Sequence, residues 1–357
     1  MPCEFAAMKL PTILFICTNG AGLGHMSRCL SYARQLREQA EPVFFSLASA
    51  IEIIQEMGFS ADYFVSPNWS CTNSSDWNRE LCFRLGLMLE HVRPAVVVFD
   101  GTWPYQGFIN ACGEYGKAKI VWSHRGLHQA DKAKSFPHQN MFSLIIKPSE
   151  VGDESGLEEE SNCPQVRVPP VCILQEAELL DKGHARKALG LSENARYALF
   201  SLGAGNINDV EDAGADLIRR LQATGFEIVW ANNPISVKDV VLPEGVRSIS
   251  TYPLVRYLRA FDIFIGASGY NTCCEVVQAQ VPALLVPNTN TKLDDQQRRA
   301  HLVARHAPVA VSECKSEDER ESAVRALLQL VSVPATRTCL VPMNGAERAA
   351  EEILALC

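Results

Sequence analysis

The sequence predicts an α/β chain of two doubly wound domains, and three observations carry that expectation. Short apolar runs of strand length alternate with longer helical patterns from Thr12 onward. The length, 357 residues, suits two domains that each bury a core. Near the middle, Val166-Arg167-Val168 runs into Pro169-Pro170, a stiff pair suited to a linker. The expected units are therefore residues 1–168, residues 169–340, and a last helical segment at 341–357.

Taken in order, Thr12 to Cys17 is a continuous apolar run, as a buried parallel strand requires. The turn Thr18 to His25 follows, then a helical pattern through Tyr32 and Leu36. A dinucleotide fingerprint would need glycine where His25 stands, and the second strand, Val43-Phe44-Phe45, ends in Ser46 rather than a ribose-binding acid. NAD and FAD are thereby disfavoured. Such a Gly-rich turn, with Gly22 and Gly24, instead places an imidazole at the carboxyl edge of the sheet, where open α/β sheets bind ligands. A helix-capping or core role is the plainer reading of His25.

The pattern continues with a helix over 49–57, a strand over 62–65, and a loop over 67–76 with Trp69 and Trp77. A helix over 76–91 and a strand, Ala95 to Phe99, come next. Asp100 closes that strand and either orients a neighbouring imidazole or caps the next helix. Lys119 to Ser123 is a fifth strand that ends at His124-Arg125-Gly126, candidate acceptor or phosphate contacts together with Gly22, Gly24 and Arg28. The aromatics Trp69, Trp77, Trp103 and Tyr105 could stack on a sugar, though aromatics more often pack cores. Leu144 to Lys147 is a sixth strand, followed by an acidic, solvated loop over 151–160.

In the second half, Tyr197 to Leu202 ends in Gly203-Ala204-Gly205-Asn206, small residues that let backbone approach phosphate. Strands over 226–231 and 246–249 precede Thr251-Tyr252-Pro253 and a helix. Then Ile263-Phe264-Ile265 leads into Ser268-Gly269-Tyr270-Asn271-Thr272, where a helix start can offer N–H groups to a diphosphate. Glu275 lies further along, where a carboxylate can accept two hydrogen bonds from a ribose diol. The tail over 344–357 is a capped amphipathic helix.

Composition narrows the function. With 47% hydrophobic and 21% charged residues the chain is globular, and a net charge of −8 works against a nucleic-acid partner, which needs dense Lys and Arg. The 13 cysteines are scattered without a C-x-x-C pair and are expected as reduced core residues; Cys273 and Cys274 face different sides of their helix. Met1 to Ala7 reads as a loose leader, and no charged segment precedes a long apolar run, so neither signal peptide nor spanning helix is expected. The expected location is cytoplasmic, with peripheral membrane contact left open. No D-x-D occurs, which removes the commonest device for holding a metal against a diphosphate, and neither a metal nor another cofactor is expected.

Spacing adds a resemblance. Ser268-Gly269, Glu275 seven residues after the serine, Pro282 seven further on, Val286-Pro287 and then Asp295-Gln296 resemble the donor motif of GT-B glycosyltransferases, above all the family 28 UDP-N-acetylglucosamine transferases of peptidoglycan synthesis. Arg299 departs from the Asn that the motif places before Ala300. The resemblance implies a GT-B fold, two Rossmann-like domains facing a central cleft, with the C-terminal helix returning to the first. It implies a UDP-type nucleotide-sugar donor held by Gly203 to Asn206, Thr251, Tyr252, Ser268 to Thr272, Glu275, Asp295 and Gln296. The acceptor would be a sugar, a lipid-linked group or a small molecule. His25 would be general base, oriented by Asp100, in a metal-independent inverting transfer to a hydroxyl.

Gly22-Leu23-Gly24-His25-Met26-Ser27-Arg28-Cys29-Leu30 also resembles the first motif of pseudaminic-acid pathway UDP-sugar hydrolases, in which His25 would activate water. A nucleotide-sugar epimerase needs more acid and base residues than the sequence displays, and a binding module explains neither His25 nor Asp100. The transferase reading is preferred because the chain length and the complete second-domain motif fit it.

Overall fold

The computed structural model describes residues 10–19, 22–124, 127, 138–153, 162–202, 211–235, 242–290, 294–332 and 339–357. Two parallel sheets carry the architecture. The first is built from β1 (Thr12–Cys17), β2 (Glu41–Ser46), β3 (Ser60–Tyr63), β4 (Val96–Asp100), β5 (Lys119–Ser123), β6 (Leu144–Pro148) and β7 (Gln165–Val168), in the order β3-β2-β1-β4-β5-β6-β7. Every residue of β1 and β4 is buried, which is why these strands are unbroken apolar runs instead of alternating ones.

Helices α1 (Gly24–Leu36), α2 (Ile51–Glu56), α3 (Ser74–Val92) and α4 (Gln106–Tyr115) connect these strands. Helix α3 begins two residues earlier than the sequence suggests because Asn73 caps it, its side chain accepting the Asp76 N–H. Its buried face is Trp77, Leu81, Leu85 and Leu89, a stripe of period four. Trp77 therefore stands in the core and not in the preceding loop, and its Nε1 donates to the Val65 carbonyl. The strand expected at 62–65 lies at Ser60–Tyr63, and the helix expected over 49–57 is the shorter α2.

In the second sheet, after α5 (Lys182–Leu189), come β8 (Tyr197–Ser201), α6 (Glu211–Ala223), β9 (Glu227–Ala231), β10 (Arg247–Ile249), β11 (Ile263–Ala267), α7 (Tyr270–Ala279), β12 (Ala283–Val286), α8 (Gln296–Val303), β13 (Val309–Val311) and α9 (Glu317–Ser332). The strands lie in the order β10-β9-β8-β11-β12-β13. A 3-10 turn over Leu254–Ala260 stands where a helix was expected after Pro253.

The last helix, α10 (Gly345–Leu354), packs against α1 and β7 of the first sheet's domain. Its start lies on the proline linker, where the Gly345 N–H donates to the Pro170 carbonyl at 3.2 Å. A Cβ at this position would fall 1.9 Å from the Pro169 carbonyl oxygen, so only glycine allows the approach. Among the described residues no helix is long and apolar enough to cross a membrane.

Strand order reverses between β1 and β4 in the first sheet and between β8 and β11 in the second. These are the switch points at which helices leave on opposite faces and open a crevice beyond the carboxyl ends of the strands. In the first sheet the register sets Cys17 beside Asp100 and Asp100 beside Ser123, so three adjacent strands end together there.

Candidate active site

The turn after β1 brings the first half of the site to its switch point. Gly24 and His25 are the first two residues of α1, and an added Cβ at Gly22 or Gly24 would meet nothing within 4 Å. The His25 side chain keeps 19% exposure while Asp100, at the end of β4, is fully buried. His25 Nδ1 lies 2.6 Å from Asp100 Oδ1. The same carboxylate accepts from Arg28 Nη2 at 2.6 Å, from Arg28 Nε at 2.9 Å and from Ser123 Oγ at 2.7 Å.

The helical repeat explains this convergence: residues 25, 28 and 32 fall on one face of α1, and Tyr32 completes it with a 3.1 Å contact to Ser123 Oγ. Burial alone would raise the Asp100 carboxyl, but the adjacent Arg28 charge and the His25 hydrogen bond outweigh it and hold the group at about 2. An ionised carboxylate can only accept, so the contact with Asp100 favours the His25 tautomer that carries its proton on Nδ1.

The second half lies at the start of α7. Gly269 is its N-cap, and no side chain caps this helix start. Ser268 Oγ and Asn271 Oδ1 are buried there without a hydrogen-bond partner among the described residues. Buried polar atoms are nearly always paired, so two orphans at a helix start without a side-chain cap fit a polar ligand. Glu275 is half-buried, one turn further on, and burial pushes its carboxyl up to about 8.

Side chains join the two halves. Tyr252 OH meets Ser27 Oγ at 2.8 Å, and the Arg28 guanidinium lies 5.5 Å from the centre of the Tyr270 ring. Tyr270 OH accepts the Val171 N–H at 3.0 Å and donates to the Ser149 carbonyl at 3.1 Å.

Several expected contacts change accordingly. Arg28 is 3% exposed and acts through Asp100 instead of offering a surface charge to acceptor or phosphate. Tyr270 is 3% exposed and ties α7 to the first domain and the linker, so its side chain does not face a ligand. Asp295 caps α8 by accepting the Arg298 N–H, and Gln296 Oε1 accepts the Asn288 N–H, which engages both locally. His124 is buried with its ring 4.3 Å from that of Trp122. Thr251 and Thr272 are half-buried, and Trp69 is 54% exposed. Gly203, Ala204, Gly205, Asn206 and Arg125 lie outside the described residues.

Sequence reasoning missed Ser27, Tyr32, Ser123 and Glu150. The spacing of His25, Arg28 and Tyr32 was a usable signal for the helix face, but nothing local connects residues 25 and 28 to 100 and 123.

Comparison with known proteins agrees with this architecture. Residues 243–348 match the glycosyltransferase family 28 C-terminal domain. A UDP-N-acetylglucosamine–N-acetylmuramyl-(pentapeptide) pyrophosphoryl-undecaprenol N-acetylglucosamine transferase of Bacillus licheniformis is 22% identical over 243 residues, covering 65% of this chain and 64% of that protein. The enzyme of the same name from Bacteroides fragilis is 27% identical over 157 residues, 40% of each chain. The chain thus matches less than two thirds of the length of either relative.

Among solved structures, Acinetobacter baumannii MurG is 11% identical with a TM-score of 0.59, covering 97% of this chain and 99% of that one. The glycosyltransferase of kitacinnamycin is 15% identical with a TM-score of 0.66, covering 97% and 99%. The UDP-GlcNAc 2-epimerase of Neisseria meningitidis, bound to UDP-GlcNAc, is 12% identical with a TM-score of 0.63, covering 96% and 100%. Together with the two-sheet architecture, these likenesses give the chain a GT-B fold whose second half carries a match to the glycosyltransferase family 28 C-terminal domain.

Proposed function

We propose that the protein is a metal-independent, inverting glycosyltransferase that moves a sugar from a UDP-type donor to an acceptor hydroxyl. The observation that carries this reading is the meeting of two half-sites across the domains: the His25–Asp100 pair and the start of α7 are joined by the Arg28–Tyr270 contact. The named activity of the curated relatives supports the same reaction class and extends it to a lipid-linked acceptor.

In this reading the residues divide the work as follows. The diphosphate would lie at the start of α7, where the helix N-terminus and Ser268 Oγ meet its charge, and Glu275 would accept from the ribose diol. His25 Nε2 takes the proton of the acceptor hydroxyl as its oxygen attacks the anomeric carbon. The new bond forms on the face opposite the diphosphate, the bond to the phosphate oxygen breaks, and UDP departs with both electrons. A single displacement of this kind inverts configuration. Arg28 and Ser123 hold the Asp100 carboxylate, which fixes the imidazole tautomer.

Incubating UDP-sugars with and without lipid-linked and small hydroxyl acceptors tests the reaction. Acceptor-dependent UDP release with an inverted product is expected; rapid release without any acceptor would move the protein to the hydrolases. Activity is expected to survive EDTA, because the leaving group is met by helix N–H groups and the sequence holds no D-x-D. Full loss, restored by magnesium or manganese, would overturn metal independence.

Glu275→Ala is expected to weaken UDP binding by roughly ten- to a hundred-fold, since hydrogen bonds to a charged group contribute about 1.5–3 kcal/mol. Its pH dependence has a defined sign. With the free carboxyl at about 8, most of it is protonated at pH 7, and a diol that donates to it favours the ionised form. UDP binding at pH 7 should therefore release a proton, seen as a buffer-dependent calorimetric enthalpy. Affinity should rise with pH up to about 8 and then level, and Glu275→Gln should remove that rise. Unchanged UDP affinity in a folded Glu275→Ala protein would displace the donor site.

A further inference from the structure

We propose that Arg299 is the positioning residue of the donor site, a latch that fixes the loop opening α7 to the first domain; this rests on the reading above. Arg299 stands on α8 and is 0% exposed. Its Nε and Nη2 donate to Glu150 Oε2 and Oε1 at 2.7 and 2.9 Å. Its Nη1 and Nη2 donate to Asp294 Oδ2 and Oδ1 at 3.0 and 2.6 Å. The remaining Nη1 hydrogen goes to the Ser268 carbonyl at 3.1 Å. All five guanidinium hydrogens are thus engaged.

The partners give these bonds their meaning. Glu150 belongs to the first domain, just past β6, and is 5% exposed. Ser268 follows β11 and carries the orphan hydroxyl at the start of α7. One planar fork therefore spans both domains and holds the backbone on which the diphosphate site is built. A second, longer contact lies on the same seam, Arg298 with Asp153 at 3.7 Å. Because every donor of Arg299 is engaged with protein, this side chain does not read the donor sugar. The departure from the motif's Asn at this position is a change of task, from sugar contact to domain registration.

Truncating Arg299 would strand two buried carboxylates, so conservative variants make the test. Arg299→Lys keeps the charge and loses the fork. Glu150→Gln is isosteric and breaks the latch from the other domain. Two readouts are taken: hydrogen exchange at Gly269 to Thr272 in the UDP-free protein, and UDP affinity by calorimetry.

Each variant is expected to speed that exchange and to weaken UDP binding by about ten-fold, the loss of roughly one charge-assisted hydrogen bond. The double variant should bind UDP no worse than Arg299→Lys alone, because both changes open one latch. Lowered melting temperatures with wild-type exchange at α7 and wild-type UDP affinity would make Arg299 a stability residue only and overturn the proposal. Absence of UDP binding by the unaltered protein would instead defeat the transferase reading, and the exchange readout would still decide the latch.

Discussion

His25→Ala is expected to lower kcat for sugar transfer by about 10²–10⁴-fold, the usual contribution of a general base, while UDP affinity stays near that of the unaltered protein. The fold-change corresponds to roughly 3–5 kcal/mol of transition-state stabilisation. The separation arises because His25 belongs to the first sheet's edge, whereas Glu275, Ser268 and the start of α7 belong to the second. Folding should tolerate the change, since Asp100 keeps Arg28 and Ser123 as donors when the imidazole is gone. Single-turnover transfer, with the anomeric configuration of the product, is the measurement. Near-normal turnover, or a retained configuration, would remove His25 from the role of base.

The reasons His25 could be singled out in the sequence are local. A Gly-rich turn between an unbroken apolar strand and a helix can only stand at a sheet's carboxyl edge, and the strands β1 and β4 are legible because both faces are buried. The start of α7 was legible for the same reason, as a small-residue turn after β11. What sequence could not convey is the pairing across distance. Arg28 looks like a surface cation at a helix start until β4 brings Asp100 against it, 72 residues away in the chain. Arg299 looks like a defect in a sugar-binding motif until Glu150, 149 residues away, is found inside its fork. Trp77 was misplaced because the Asn73 cap starts α3 before the apolar periodicity becomes visible.

These long-range pairs also explain how two small-residue turns are held against each other. The first half-site is held by charge inside the first domain, at Asp100. The second is held by charge that crosses the domains, at Arg299. Tyr270 lies between them, its ring against Arg28 and its hydroxyl on the linker residue Val171. A shift of the start of α7 must therefore disturb the packing around Arg28 and the carboxylate it holds, and the converse holds as well.

Asp100→Asn is expected to damage both stability and catalysis, a larger defect than a lost orienting contact or helix cap alone would give. Four hydrogen bonds converge on the carboxylate, and Arg28 beside it is only 3% exposed. An amide leaves that guanidinium buried without a counter-charge, which typically costs about 3–5 kcal/mol. Its nitrogen would also face His25 or Arg28 as a donor against donors, so the imidazole loses the tautomer that exposes Nε2. The pH dependence carries its own signature. The carboxyl is depressed to about 2 in the folded protein against 3.8 as an ordinary group, so its contribution is full above about pH 5 and is lost as pH falls toward 2. The size of that contribution is about 2 kcal/mol, and the Asn variant should lack this part of the acid transition in denaturant melts at several pH values. The double change Asp100→Asn with Arg28→Met separates the two effects. Removing both charges should recover much of the stability, while kcat stays low because His25 is still unanchored. An Asp100→Asn protein that melts within about 1 kcal/mol of the unaltered one at neutral pH would mean that Arg28 finds another counter-charge, and the assignment of Asp100 as the anchor of the base would fall with it.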